Sequence, residues 1–389
     1  MRSVERLTIR TRLTGLGLVF AVPLTAIIVW LVLAGINSYI DFARLETVGN
    51  RYQRQLEVLL DAVPHRQVAF AAGRRDEVAG LDREIAAAFA ALAGVQATDG
   101  AELQFTPEGL ASRKRDALAP ARVQKKWEAL AAAPAVDPAA TDSLVADIRG
   151  MIAHAGDTSN LILDPDLDSY YLMDITLLAL PQMQDRLAEI LRDALRPDAE
   201  TATPAARQKL AVDLAMLRES DLARIDGDTQ TVLSEDPNFY GACASLQAKL
   251  PPAQKRCAAA VDAFAALLSA PAGRDQLLAA GLAARAAADD FWKIAVDQLD
   301  VLLDTRIAHY RHRRTMSLVW TALALLFSGG ASWWISRSIN RTLASVSREL
   351  DDSTATTRTA TVSVRAVSDS IATAASEQAA ALEEISATA

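Results

Sequence analysis

The sequence predicts an all-α protein: two transmembrane helices flanking an extracytoplasmic helical bundle, the second continuing as a cytoplasmic coiled-coil helix. Three observations carry this. Two uncharged apolar runs are each long enough to span a bilayer, which takes about 20 residues of helix. Most of the chain between them has apolar residues at three- and four-residue spacing, and no stretch shows sustained strand-like alternation. After the second run a heptad pattern continues to the last residue.

Residues 1–12 form a short tail with Arg2, Arg6, Arg10 and Arg12 against Glu5, a balance that places it in the cytoplasm. The first transmembrane helix, 13–40, has no charged residue between Arg12 and Asp41. It exceeds the apolar region of about 7–15 residues in a cleaved signal peptide, and "LAGI" at 33–36 lacks the cysteine of a lipoprotein signal. The second, 315–336, "TMSLVWTALALLFSGGASWWIS", is uncharged between Arg314 and Arg337. Gly329-Gly330 there permit close helix approach, and Trp333-Trp334 suit the membrane interface. Two crossings return the C-terminal segment to the cytoplasm and leave residues 41–314 outside, in the periplasm of a Gram-negative cell. The cluster Arg311, Arg313 and Arg314 opposes this mildly, but long domains escape the charge rule.

Helical segments such as "LDREIAAAFAALAGV" (81–95) fill 41–314. Breaks are expected at Pro64, 98–100, Pro120, Pro134–Pro138, Pro197–Pro204, Asp236-Pro237, Pro251-Pro252 and Pro271. The Pro251-Pro252 break predicts a hairpin that brings Cys243 and Cys257 together. A disulfide there suits an oxidising compartment and contributes about 3 kcal/mol in the chain-entropy model. Two buried free thiols are the alternative.

With 389 residues and a net charge of -8, the composition argues against nucleic acid as a partner. No nucleophile elbow, phosphate loop or zinc motif occurs, and His65, His154, His309 and His312 are scattered apart from the last two. The expectation is a non-enzyme with no catalytic residues, metal or cofactor.

One stretch of the outer domain stands out, "DTSNLILDPDLDSYYLMD" at 157–174. Asp164, Asp166 and Asp168 imitate the opening of a calcium loop, but Ser169 and Ile175 replace the glycine and glutamate that an EF-hand needs. On a continuous helix, Asp157, Asn160, Asp164, Asp168 and Tyr171 share a face and would suit a cationic or amine ligand. Alternatively, Asp164 caps a helix beginning at Pro165, with Asp166 and Asp168 complementing the helix dipole.

Residues 337–389 contain neither Gly nor Pro. Steps of four and three run from Ile339 through Leu343, Val346, Leu350, Ser353, Thr357, Ala360, Val364, Val367, Ile371, Ala374, Gln378 and Ala381 to Ile385. A single heptad seam implies a homodimer. Glu377 and Glu384 stand one heptad apart beside the seam, and no Lys or Arg follows Arg365. Esterification would erase their charge and tighten the packing.

The segment "ASEQAAALEEISATA" (375–389) resembles the first methylation helix of bacterial methyl-accepting chemotaxis proteins, where Glu/Gln pairs recur every seven residues among small residues. The resemblance implies that Glu377 and Glu384 are methylated by a chemotaxis methyltransferase and demethylated by a methylesterase. Two spans around an outer helical domain are this family's layout, and "SNLILDPDLDSYYLMD" is similar to stretches in outer sensory modules of some transducers. The family often has a HAMP module after the second span, but "INRTLASVSREL" has Thr342 in place of its proline.

The resulting expectation is a two-pass receptor of the bacterial inner membrane, both termini cytoplasmic. Its outer domain is expected to sense a small molecule or a periplasmic binding protein, with membrane lipid around its spans. Residues 337–389 read as an incomplete methyl-accepting domain, so a kinase and coupling protein become partners only through a C-terminal hairpin that this sequence lacks. The runner-up is a membrane sensor histidine kinase or nucleotide cyclase shortened before its catalytic domain.

Overall fold

The computed structural model describes residues 9–133, 137–196, 203–270 and 272–388; most of the expected 1–12 tail therefore lies outside the described residues. These residues are helical almost throughout, with no strand among them. The helices are α1 (Ile9–Ala71), α2 (Arg75–Asp99), α3 (Pro107–Ser112), α4 (Pro120–Ala132), α5 (Pro138–Thr158), α6 (Leu167–Asp174), α7 (Leu180–Ala194), α8 (Pro204–Met216), α9 (Ala223–Glu235), α10 (Ala244–Leu268) and α11 (Arg274–Thr388). Two π-helical turns, Ile175–Ala179 and Leu217–Leu222, join α6 to α7 and α8 to α9.

Prolines open α3, α4, α5 and α8, where a missing N–H costs nothing. Thr106, Asp137 and Thr203 cap α3, α5 and α8 through side-chain oxygens that accept from backbone N–H groups of the first turn. Other prolines behave differently from the sequence expectation. Pro64 lies within α1, and Pro251-Pro252 lie within α10. Buried Leu246, Leu250, Ala253 and Cys257 form one stripe that runs past the α10 prolines. Burying a leucine stabilises by about 1.5–3 kcal/mol, so the stripe offsets a helix-interior proline's cost of about 3 kcal/mol.

That continuity removes the expected disulfide. Cys243 immediately precedes α10 and Cys257 lies within it, so about 1.5 Å of rise per residue separates them by far more than a bridge spans. Both are free thiols. Burial pushes the Cys257 thiol up to about 12, which keeps it unreactive.

The chain divides into two compact units, one of residues 35–314 and one of 1–34 with 315–389. Within 35–314 the main core draws on α1–α7 and α9–α11, and its largest buried residues include Tyr52, Phe264, Phe291 and Trp292; a small second cluster joins Ile40, Ala43 and Ile307.

The face that α1 turns toward α11 is polar. Glu46, Asn50, Gln53 and Glu57 are all buried at steps of four, three and four. Asn50 donates to the Val296 carbonyl at 3.0 Å and to Asp300 at 2.7 Å, and Gln53 donates to Asn50 at 2.6 Å. Arg54 pairs with Asp297 at 2.7 Å and Asp300 at 2.6 Å. Buried Arg285 of α11 donates to the backbone and side chain of Asp61, at 2.8 and 2.9 Å.

In the other unit, α1 and α11 each contain a stretch long and apolar enough to cross a membrane, and neither stretch is buried within the chain. Farther along α11, the heptad residues Leu343, Val346, Leu350, Val364, Val367 and Ile371 are all exposed. The Thr-rich middle, poor in intrinsic helix propensity, remains helical. There Thr354, Thr356, Thr357, Thr359 and Thr361 each donate a hydroxyl to the carbonyl four residues back. Glu377 is exposed on this helix, and the side chain of Glu384 lies outside the described residues.

Candidate functional site

The acidic stretch is not one helix. α5 ends at Thr158, Asn160 adopts a left-handed backbone (φ 68°), and a 3-10 turn covers Leu161–Leu163 before α6 begins at Leu167. Asp164 folds back as a turn, its Oδ1 accepting from the Asp166 N–H at 2.9 Å. The helix start therefore falls two residues beyond Pro165, and Asp164 is not its cap.

The expected stripe is split accordingly. Asp157 pairs with Arg115 at 2.6 Å, and Tyr171 packs edge-on against Tyr170. Asp164 and Asp168 come together instead with Asp166, which lies off that stripe. Asn160 supplies the left-handed turn between α5 and the 3-10 segment, a conformation that Asn tolerates better than most residues.

What gathers the aspartates is Arg306 of α11, almost completely buried. Its guanidinium pairs with Asp164 at 2.5 Å, Asp166 at 2.7 Å and Glu46 of α1 at 2.7 Å, and donates to the Ser169 hydroxyl. Ser169 in turn donates to Asp164 at 3.1 Å. Tyr240 closes the group by donating its hydroxyl to Asp166 at 2.9 Å. Tyr240 sits on a turn where Gly241 has φ 96°, a conformation that favours glycine. The carboxylate of buried Asp236 fixes this turn by accepting from the Cys243 N–H at 2.9 and 3.0 Å.

The electrostatics are one-sided. Burial, reinforced by the charge of Asp164, raises the Glu46 carboxyl well above its ordinary value, and pairing with Arg306 opposes the shift. Burial likewise raises Asp164, and raises Asp168 to about 6. It pulls the Arg306 guanidinium down, but the surrounding carboxylates outweigh it and hold Arg306 above its ordinary value. Glu46 Oε1 and Asp164 Oδ2 are buried and have no donor among the described residues.

Beside the cluster lies a cavity of about 280 Å³, walled by Asp168, Tyr240, Gly241, Ala242, Cys243, Leu302 and Thr305. Other charged groups are less open to a ligand. The carboxylates of Glu189, Asp193 and Asp213 converge closely, but the Lys209 ammonium already bonds all three, at 2.7, 2.7 and 3.0 Å. His154 is buried, its Nε2 3.1 Å from the Leu103 carbonyl, and burial lowers its pKa.

The site depends on a close approach of α1 to the 159–161 turn. At Gly49 a Cβ would collide with the Ser159 side chain and press on Leu161. Gly49→Val is therefore expected to destabilise the fold by about 1–3 kcal/mol in chemical denaturation, the range for overpacking. Gly80→Ala in α2, where a Cβ meets nothing, is expected to leave stability unchanged or slightly raised.

Arg306 and Glu46 had a sequence signal of their own. Leu299, Leu303 and Arg306 lie at four- and three-residue steps on the buried stripe of α11, and Ala43, Glu46 and Asn50 do so on α1. On α11 the charge interrupts an apolar stripe, the mark of a buried ion pair; on α1 Glu46 opens a polar one.

Compared with protein-family models, with curated proteins and with solved structures, the chain gives no match.

Proposed function

We propose that the chain is a two-pass membrane receptor that senses a ligand outside the cytoplasmic membrane and reports it through a methylatable cytoplasmic coil, in the manner of bacterial chemoreceptors. The observation that carries this reading is that one helix, α11, holds Arg306, the apolar stretch and the heptad with Glu377 and Glu384. In this reading residues 41–314 are periplasmic, both termini are cytoplasmic, and the stretches within 13–40 and 315–336 cross the bilayer. The heptad seam of 339–385, whose Leu343, Val346, Leu350, Val364, Val367 and Ile371 are exposed, pairs with a second copy of the chain. Ligand binding beside Arg306 shifts the balance of contacts on α11, and esterification of Glu377 and Glu384 offsets it by removing charge beside the seam. Contact with a kinase and coupling protein belongs to a hairpin tip outside residues 337–389.

The test is covalent. Membranes containing the chain are incubated with a chemotaxis methyltransferase and S-adenosylmethionine, and the C-terminal peptide is analysed by mass spectrometry. Base-labile methyl esters are expected at Glu377 and Glu384, and Glu377→Ala with Glu384→Ala should abolish them. An unmodified peptide would return the tail to the plain coiled linker of a sensor kinase or cyclase.

A further inference from the structure

We infer that the cavity between Asp168 and Tyr240 is the ligand site and that it takes a small organic ammonium ion. The inference rests on the sensor reading above only for its biological meaning; the binding chemistry stands on the cavity itself.

The first ground is charge. Glu46, Asp164, Asp166 and Asp168 converge on one region, and Arg306 is the cation that pairs with the first three. Asp168 forms no ion pair among the described residues. It is only 4% exposed, yet it forms part of the cavity wall. One of its oxygens accepts from the Ser169 N–H at 2.7 Å and from the Ser169 hydroxyl at 3.4 Å, and the other has no donor among the described residues. A buried carboxylate with a free oxygen facing a cavity is stabilised by an incoming cation.

The second ground is the direction of the hydroxyl hydrogens. Tyr240 donates its hydroxyl to Asp166, and Thr305 donates its hydroxyl to the Val301 carbonyl at 2.7 Å. The hydroxyls of the wall thus offer lone pairs rather than hydrogens, and the Cys243 thiol lies 3.4 Å from the Ser245 hydroxyl, which donates to Gln298. An ammonium group, with donors and no acceptor, matches that set, whereas a carboxylate or phosphate does not.

The third ground is shape. Leu302 and the Tyr240 ring give the wall an apolar part, and an aromatic ring is itself a favourable neighbour for a cation. About 280 Å³ lies just below the usual range for ligand pockets, roughly 300–1,000 Å³, so the organic part is short.

The position also gives such a ligand a route to α11. Tyr240 touches both the cavity and Asp166, so a cation beside Asp168 adds positive charge next to the carboxylates that hold Arg306. Leu302 and Thr305, on the cavity wall, belong to the turn of α11 that precedes Arg306.

Three probes with a four-carbon chain separate charge from size: n-butylamine, 1-butanol and butyrate. The full chain in detergent is titrated at pH 7.5 and followed by thermal unfolding. A saturable rise in the unfolding midpoint is expected with n-butylamine alone. Asp168→Asn should weaken its apparent affinity about tenfold or more, the factor that corresponds to about 1.4 kcal/mol. Ala242→Phe, which narrows the cavity at an exposed loop position, should weaken it as well and guards against misfolding of the first variant. No saturable shift with n-butylamine, equal shifts with all three probes, or an affinity unchanged in both variants would overturn the assignment. These outcomes are independent of the methylation test. Amine binding without methyl esters would sink the receptor reading alone, and methyl esters without amine binding would sink the ligand assignment alone.

Discussion

Arg306→Leu is expected to lower the unfolding midpoint by roughly 6–20 °C at neutral pH. Removing one partner of a buried ion pair typically costs about 3–5 kcal/mol, because the remaining charges stay behind uncompensated. Each kcal/mol shifts the midpoint of a large domain by about 2–4 °C. Here the residues left behind are Glu46, Asp164 and Asp166, all buried. Leucine keeps most of the volume, so the loss reflects charge more than packing. Circular dichroism of the full chain in detergent measures it. Two internal checks belong with it. The gap from wild type should be smaller at pH 5 than at pH 8, because protonation relieves the stranded carboxylates. Adding Glu46→Gln and Asp164→Asn to Arg306→Leu should recover part of the loss. A midpoint within about 2 °C of wild type would show that the cluster is not held by its guanidinium.

Glu57→Gln is expected to act in the opposite direction, stabilising the protein at alkaline pH by an amount on the order of 3 kcal/mol. Glu57 is buried on α1, its Oε1 has no donor among the described residues, and burial raises its carboxyl to about 8. The charges of Arg54 and Lys293 pull it down while those of Asp289 and Asp297 push it up, so burial decides the outcome. Between the ordinary carboxylate range and about pH 8, the folded state keeps a proton that the unfolded chain has released. The stabilisation from that proton is complete below the unfolded pKa and is lost as pH rises through the folded one. Glutamine presents a neutral group at every pH. The advantage of Glu57→Gln should therefore be small near pH 5, grow toward pH 8 by up to about 1.4 kcal/mol per pH unit, and level off above it. Denaturant titrations at pH 5, 7 and 9 measure the trend. A difference that does not change with pH would mean Glu57 is solvated or paired.

How much of this was legible beforehand depended on whether a rule was local. Pro120, Pro138 and Pro204 marked helix starts, because a proline at the first helical position follows from its own covalent geometry. Pro64 and Pro251-Pro252 did not mark ends, because the buried stripes around them are a tertiary effect that no dipeptide reveals. The expected pairing of Cys243 with Cys257 failed for the same reason. The acidic stretch was recognisable as unusual, but its grouping was not. Helical spacing joined Asp157 to Tyr171, whereas Asn160 and the turn at Asp164 interrupt the helix and bring Asp164, Asp166 and Asp168 together. The arginine that pairs with Asp164 and Asp166, Arg306, lies 142 residues beyond Asp164 in sequence. Nothing in its immediate neighbours separates that arginine from a solvated one; only its place on the stripe with Leu299 and Leu303 does.

The polar face between α1 and α11 limits how these two helices can move. Apolar side chains lose little when they slide past one another by an ångström, since dispersion contacts are many and undirected. Directed bonds such as Asn50 to the Val296 carbonyl, or Arg54 to Asp297 and Asp300, stretch and break over the same distance. Each buried group left without a partner then costs about 1–3 kcal/mol. Bonds can re-form after a displacement of about one helical turn, roughly 5.4 Å, when the next residue on the same face arrives. Asp297 and Asp300, three residues apart and both within reach of Arg54, already occupy two such positions. The seam therefore behaves like a ratchet: small slips spring back, and a movement that persists must be a whole step.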